Sequence, residues 1–284
     1  GYVDKYFKNN YGSLGQFIYP TTIEESEKWF NNFLQERFNN FGDYEDAIVK
    51  DNLTLNHSIL SPLMNVGFIT PNKVISDSLQ YSYKNDIPIN SSEGFIRQIM
   101  GWREFIRGIY SVKGTFERTR NYWGFNRKIP TSFYTGNTGI EPIDDSIKKV
   151  LKTGYLHHIE RLMVLGNFMM LCEFDPDEVY KWFMEFSCDS YEWVMKQNVL
   201  DMVFFVTGGK TMRKPYVSSS TYVLNMSNYK KGEWTEVWNK AYYNFNKKHR
   251  TLLKKYSYHF PTLRTINKNP KDTYEVYLER KKKK

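Results

Sequence analysis

From Gly154 to Leu171 the chain reads Gly-Tyr-Leu-His-His-Ile-Glu-Arg-Leu-Met and then continues through Val164, Leu165, Phe168 and Met169. Leu156, Ile159, Leu162, Met163 and Phe168 recur at roughly helical spacing, which predicts a helix buried around most of its circumference. Placing His157, His158 and Arg161 in such a helix is costly unless each finds a partner. Adjacent residues project in different directions around a helix, so at most one of the two histidines need be structural. The segment is therefore a candidate wall of a site.

The rest of the pattern predicts an all-α domain with long loops on one face. No run alternates apolar and polar residues in strand pairs, and there is no internal repeat, phosphate-binding P-loop or Gly-x-Gly-x-x-Gly motif. Residues 1–20 read as irregular. Thr21-Thr22-Ile23-Glu24-Glu25 opens a helix to about Phe38, and residues 41–46 read as a turn. Thr70-Pro71 starts another helix. A long one follows Ser92-Glu93-Gly94, with Trp102 and Phe105 expected inward. Asp175-Pro176 starts the helix that carries Trp182 and Phe183, and a final helix is expected from Trp234 to Tyr256.

Charge narrows the partners. The chain has 40 Lys and Arg against 31 Asp and Glu, a net +9, and 17% of its 284 residues are aromatic. Part of the excess is the terminal run of four lysines, yet the remainder is still basic, which favours a phosphate-bearing partner. Residues 111–142 read as a loop in which Lys113, Arg118, Arg120, Arg127 and Lys128 alternate with aromatic rings. A second basic loop spans residues 207–220 and contains Lys210, Arg213 and Lys214. Mixed basic and aromatic loops suit a surface that tracks a nucleic-acid backbone and stacks on bases. His57, Ser58 and Ser61, before Pro62, place hydroxyls and an imidazole at a helix start, which is either an anion site or an ordinary serine cap. Two cysteines, Cys172 and Cys188, cannot build a disulfide framework. No apolar run reaches about 18 residues and no signal-peptide pattern opens the chain, so a cytoplasmic, DNA-associated protein with no membrane segment is expected.

Several segments in register resemble the iron–sulfur bacterial cryptochrome and photolyase group. They are Ser92–Glu104, Gly154–Met163 with Gly166-Asn167-Phe168, Tyr191-Glu192-Trp193-Val194 and Lys214-Pro215-Tyr216, and the likeness covers about Phe41 to Phe245. The resemblance implies a helical catalytic domain that binds bent FAD and repairs ultraviolet lesions in DNA by light-driven electron transfer. It implies flavin contacts at His57, Ser58, Leu60, Ser61, Gln98, Trp102, Arg103, Tyr191 and Asn198, with Arg161 and Asp189 as a charged pair beside the ring. It makes His158 the lesion-side histidine with His157 its neighbour, and Trp182 the first ring of an electron path that Tyr134, Tyr216 or Tyr222 continues. Lys113, Arg118, Arg120, Lys210, Arg213 and Lys214 are the expected DNA contacts.

The chain departs from that pattern in three places. No α/β antenna-domain pattern is present, so residues 1–260 are expected to form the helical catalytic domain alone, followed by a basic tail at 261–284. The cluster cysteines of the group fall near Pro142, Lys230, Glu233 and Glu236, none of which supplies a thiolate, so no iron–sulfur cluster is expected. The residue expected near flavin N5 is Met195, a thioether that accepts weakly and carries no proton. The resulting expectation is a monomeric photolyase acting on (6-4) photoproducts or cyclobutane dimers. The alternatives are a flavin photoreceptor without repair activity and a flavin-free DNA-binding protein.

Overall fold

The structure, a computed structural model, describes residues 1–13 and 17–260. Its first half contains α1 (Tyr2–Tyr6), α2 (Ile23–Glu36), α3 (Phe41–Tyr44), α4 (Ser61–Asn65), α5 (Pro71–Lys84), α6 (Ile89–Arg97) and α7 (Arg103–Arg118). The second contains α8 (Ser132–Thr135), α9 (Glu141–Thr153), α10 (Asn167–Leu171), α11 (Pro176–Phe186), α12 (Glu192–Met195), α13 (Ser220–Met226), α14 (Glu233–Lys248) and α15 (Arg250–Leu253). Among the described residues the only extended pairings are two isolated bridges, Ile48 with Ser227 and Arg127 with Phe174. The protein is all-α.

Local chemistry sets several helix starts. The Thr22 hydroxyl accepts from the Glu25 amide at 3.2 Å, and the Glu25 carboxylate accepts from the Thr21 amide at 2.8 Å. Thr70 and Asp175 cap α5 and α11 in the same manner, each ahead of a proline in the first turn.

Three joints are π-helical: Gln98–Trp102 between α6 and α7, Glu160–Gly166 before α10, and Lys196–Val203 after α12. A π turn widens the backbone by one residue and changes which side chains share a face. Gly166 lets the second and third of these segments meet. A Cβ there would lie 2.7 Å from Val203 Cγ1 and 2.9 Å from the Arg161 carbonyl.

Two hydrophobic cores result. The smaller packs Phe30, Phe33, Phe38, Phe41, Leu63 and Phe95 beneath α2–α6. The larger runs from Phe133 and Ile147 through Phe168, Trp182 and Phe204 to Trp238 and Phe245.

Several expectations change. Residues 2–6 form α1, with the Asp4 carboxylate at the Gly1 amine. Residues 41–44 form α3 because Phe41 is drawn into the smaller core. The supposed loop from 111 is helical to Arg118, so Lys113 and Arg118 sit on α7; packing against the 196–203 segment overrides the poor helix propensity of Gly108 and Gly114. Phe105 is exposed, stacked on Trp102 at 5.6 Å, not inward. The final helix ends at Lys248, and α15 and a short 3-10 turn follow. The expected tail at 261–284 lies outside the described residues. No helix among the described residues is long and apolar enough to cross a membrane.

Candidate cofactor and substrate cavity

A cavity of about 440 Å³ opens at the seam between the two cores, lined by residues of each. That size falls within the usual range for ligand sites, roughly 300–1,000 Å³. All three π segments contribute to its wall, through Gln98 and Trp102, through Arg161 and Leu162, and through Asn198 and Met202. Wide turns of this kind gather at functional sites because they re-aim side chains without ending the helix.

One wall carries a buried ion pair. Arg161 reaches Asp189 with Nη1 at 2.8 Å and Nη2 at 3.1 Å, and its Nε donates to the Leu156 carbonyl at 2.6 Å. Burial alone would make the guanidinium less basic, but Asp189 outweighs it and holds the group firmly charged. Asn65 fixes the next peptide by donating to the Asp189 carbonyl at 3.0 Å. Nearby, Arg103 lies over the Trp193 ring at 4.8 Å.

The structure separates the adjacent histidines. His158 lines the cavity, half exposed, with Nε2 3.3 Å from Asp46 Oδ1. His157 turns into the protein and does not line the cavity; it stacks on His57 at 4.7 Å and 15° and lies 3.4 Å from Glu160. Burial lowers the His57 pKa to about 3 and pushes His157 well below its ordinary value, so both rings are neutral near pH 7. Lys149, bonded to Glu160 at 2.6 Å, keeps that buried carboxyl paired. One ring nitrogen from each of the three histidines lies within 4.8 Å of the other two.

Most residues singled out in the sequence come together here. His57, Ser58, Ser61, Gln98, Trp102, Arg103, Arg161, Asp189, Met195 and Asn198 line the cavity, as does Tyr216. Leu60 does not: it is buried in the smaller core. Tyr191 is exposed at the start of α12. Trp182 is fully buried behind the wall, its indole N–H donating to the Phe133 carbonyl at 3.0 Å. It stacks on Phe186 at 4.5 Å and 4°; Phe186 meets Tyr134 at 5.8 Å, and Tyr134 meets the exposed Tyr11 at 5.4 Å. Tyr222, on α13, packs against the larger core and does not line the cavity.

The basic side chains converge as well. Lys113, Arg120 and Lys210 all lie over the Phe116 ring, at 6.0, 4.7 and 5.2 Å, so two segments distant in sequence form one patch. The buried Asp201 holds the second segment in place, accepting from the Thr207 amide at 2.9 Å, its hydroxyl at 2.7 Å, and the Thr211 hydroxyl. Arg213 is exposed on that loop, and Lys214 lies over Tyr216 of the cavity at 5.9 Å. Arg118 is taken up by Asp177 at 2.5 Å.

Sequence reasoning missed Glu45 and Trp193 on the cavity wall and Asp46 beside His158. Glu45 accepts from Gln98 Nε2 at 2.6 Å, and 53 residues separate the pair. No local pattern reports a contact of that range.

Comparison with known proteins places this architecture. No family model matches the chain. Over 262 residues it is 35% identical to the (6-4) photolyase of Agrobacterium fabrum, covering 89% of this chain and 52% of that protein, so the chain spans about half the length of that relative. It is also 60% identical over 84 residues to the uncharacterized protein R855 of Acanthamoeba polyphaga mimivirus, covering 29% of this chain and 68% of that one. Among solved structures, it is similar to the Synechocystis sp. PCC6803 cryptochrome, with a TM-score of 0.58, 13% identity, and coverage of 84% of this chain and 46% of that one. A bacterial class III photolyase from Agrobacterium tumefaciens gives 0.59 and 16%, over 78% of this chain and 46% of that one. These two likenesses concern the fold.

Proposed function

The chain belongs to the photolyase/cryptochrome family, in its helical FAD domain, and from that premise we propose that it holds FAD in the cavity and repairs ultraviolet-induced pyrimidine dimers in DNA under light. The observation that carries the reading is one cavity with a buried ion pair in its wall, an imidazole on its lining, and a lysine over one of its lining rings.

The lining residues fit a large, flat cofactor with polar appendages. His57 Nε2 and Asn198 Oδ1 are buried without a hydrogen-bond partner, an arrangement that favours a polar ligand. Arg161 and Asp189 would flank the flavin ring, while Ser58 and Ser61 would meet its phosphates. Met195 would face the ring with a weak acceptor only. The flavin, when bound, supplies the light-driven one-electron chemistry.

The chain's own residues do the rest. The patch around Phe116 and the loop carrying Arg213 and Lys214 would neutralise backbone phosphates, so that affinity falls steeply with salt. A pyrimidine dimer stacks poorly, which lowers the cost of turning it out of the duplex into the cavity. His158 would then hydrogen-bond or protonate the damaged bases, and the neutral His57 beside it adds no competing charge. Pro142, Lys230, Glu233 and Glu236 offer no thiolate, which supports a protein without an iron–sulfur cluster.

The deciding experiment reconstitutes the protein with FAD and illuminates it with blue light over oligonucleotides carrying each lesion. Stoichiometric flavin and lesion loss only under light are expected; light-driven flavin reduction with every lesion intact would instead indicate a photoreceptor. Trp182→Phe should stay folded, losing about 1–3 kcal/mol because the buried Phe133 carbonyl loses its donor. Most of its light-driven flavin reduction, followed by absorbance, should disappear. Reduction at the unaltered rate would place the electron path elsewhere.

A further inference from the structure

We infer that Asp46 and Glu45 are positioning residues for the substrate side of the cavity, Asp46 setting His158 and Glu45 setting Gln98. The inference rests on the repair reading, because it specifies what these two side chains prepare.

The two carboxylates follow α3, whose place is tightly constrained. A Cβ on Gly42 would lie 2.5 Å from the Asn90 backbone, so α3 and α6 meet without a side chain between them. The Ser91 hydroxyl accepts from the Gly42 amide and donates to the Asn39 carbonyl, each at 2.8 Å, and Asn90 donates to Asp43 at 2.7 Å. Just beyond the pair, the Ile48 amide donates to the Met226 carbonyl at 2.7 Å. Residues 45 and 46 are thus held from both sides.

Each carboxylate then meets one polar group of the cavity. Glu45 Oε1 accepts from Gln98 Nε2 at 2.6 Å. With its NH₂ engaged, Gln98 keeps its carbonyl oxygen available as an acceptor. Asp46 Oδ1 lies 3.3 Å from His158 Nε2, so a proton on Nε2 is directed at the carboxylate and Nδ1 remains for a ligand, accepting from it in the neutral ring and donating to it from the protonated one. Around His158 lie Asp46 at 3.3 Å, the His57 ring edge-on at 5.5 Å and the His157 ring at 6.3 Å, with the Glu45 carboxyl near enough to feel its charge and Tyr222 of α13 near enough to feel that of Asp46. His57 and His157 are neutral, and the Asp46 carboxyl sits below its ordinary range because His158 bonds to it. In the open cavity this pair is half exposed and weakly coupled. A nucleotide closing over it would exclude water and strengthen the same contact.

The test combines ¹⁵N-histidine NMR in the dark with light-driven repair. In Asp46→Asn, the His158 resonances should move toward a mixed tautomer population. Maximal repair rate should fall about 10- to 100-fold, the range for a carboxylate that orients a functional imidazole, with little change in lesion affinity. Asp46→Glu should restore most of both, and Glu45→Gln should weaken lesion affinity more than maximal rate. His158 resonances unchanged in Asp46→Asn would overturn the inference even if the unaltered protein repairs DNA. Unaltered protein that shows the coupled resonances but repairs nothing would instead overturn the repair reading. Should Asp46→Asn fail to fold, Asp46→Ser takes its place as a smaller residue without the carboxylate, and unchanged His158 resonances in that variant would overturn the inference.

Discussion

Asp189→Ala is expected to destabilise the fold by about 3–5 kcal/mol, the usual consequence of leaving one partner of a buried ion pair alone. Arg161 would remain charged within the wall, holding one bond to the Leu156 carbonyl and the nearby face of Tyr155. The Asn65 bond goes to the Asp189 backbone, so it survives the substitution and offers no compensation. Urea unfolding would measure the loss as a lower midpoint at a similar slope. An apolar double replacement, Arg161→Met with Asp189→Leu, should cost less than Asp189→Ala, because desolvation of both charges disappears together. A loss below about 1 kcal/mol for Asp189→Ala would mean that the pair behaves as a surface bridge. Flavin retention should fall in both variants, since neither leaves the charged wall of the cavity intact.

His158→Ala should act on chemistry instead. The residue is half exposed, so stability should change by no more than about 0.5 kcal/mol. Binding of damaged DNA should persist, because phosphate contacts dominate affinity. Light-driven repair should fall about 10²- to 10⁴-fold, the range for loss of a positioned acid–base group. Replacing His157 makes the control: it stacks on His57 in the core and should cost stability before it costs repair. Repair rates together with denaturation midpoints for both variants separate these outcomes. Full repair by His158→Ala would show that another group serves the lesion.

Much of the cavity was legible in the chain because its residues cluster along helices with strong periodicity. The segment from Gly154 to Met163 announces buried charged groups that need partners, and Asp189 supplies one of them, but the helix expected from Gly154 begins only at His158, because Gly154 ends α9 in a left-handed turn and residues 155–157 are not helical. Other parts depend on packing that leaves no local mark. Leu60 looks equivalent to its neighbours Ser58 and Ser61, yet the chain turns it into the smaller core. Phe105 follows the helical period of Trp102 and stacks on it, yet it emerges at the surface, because among the described residues no element packs over that end of the shared face. Lys113, Arg120 and Lys210 meet at Phe116 only because α7 packs along the 196–203 segment that leads into the second basic loop.

The amino-acid sequence alone determined the all-α class, the basic character and the presence of two adjacent imidazoles near an arginine, since these follow from periodicity and composition. Which imidazole serves the cavity was decided by tertiary structure. In the structure His157 closes the non-helical stretch 155–157 and His158 opens the helix, so one ring packs inward on His57 and Glu160 while the other meets Asp46 at the opening. The same holds for the cavity itself, whose wall is made from π turns that packing stabilises and local propensity does not encode.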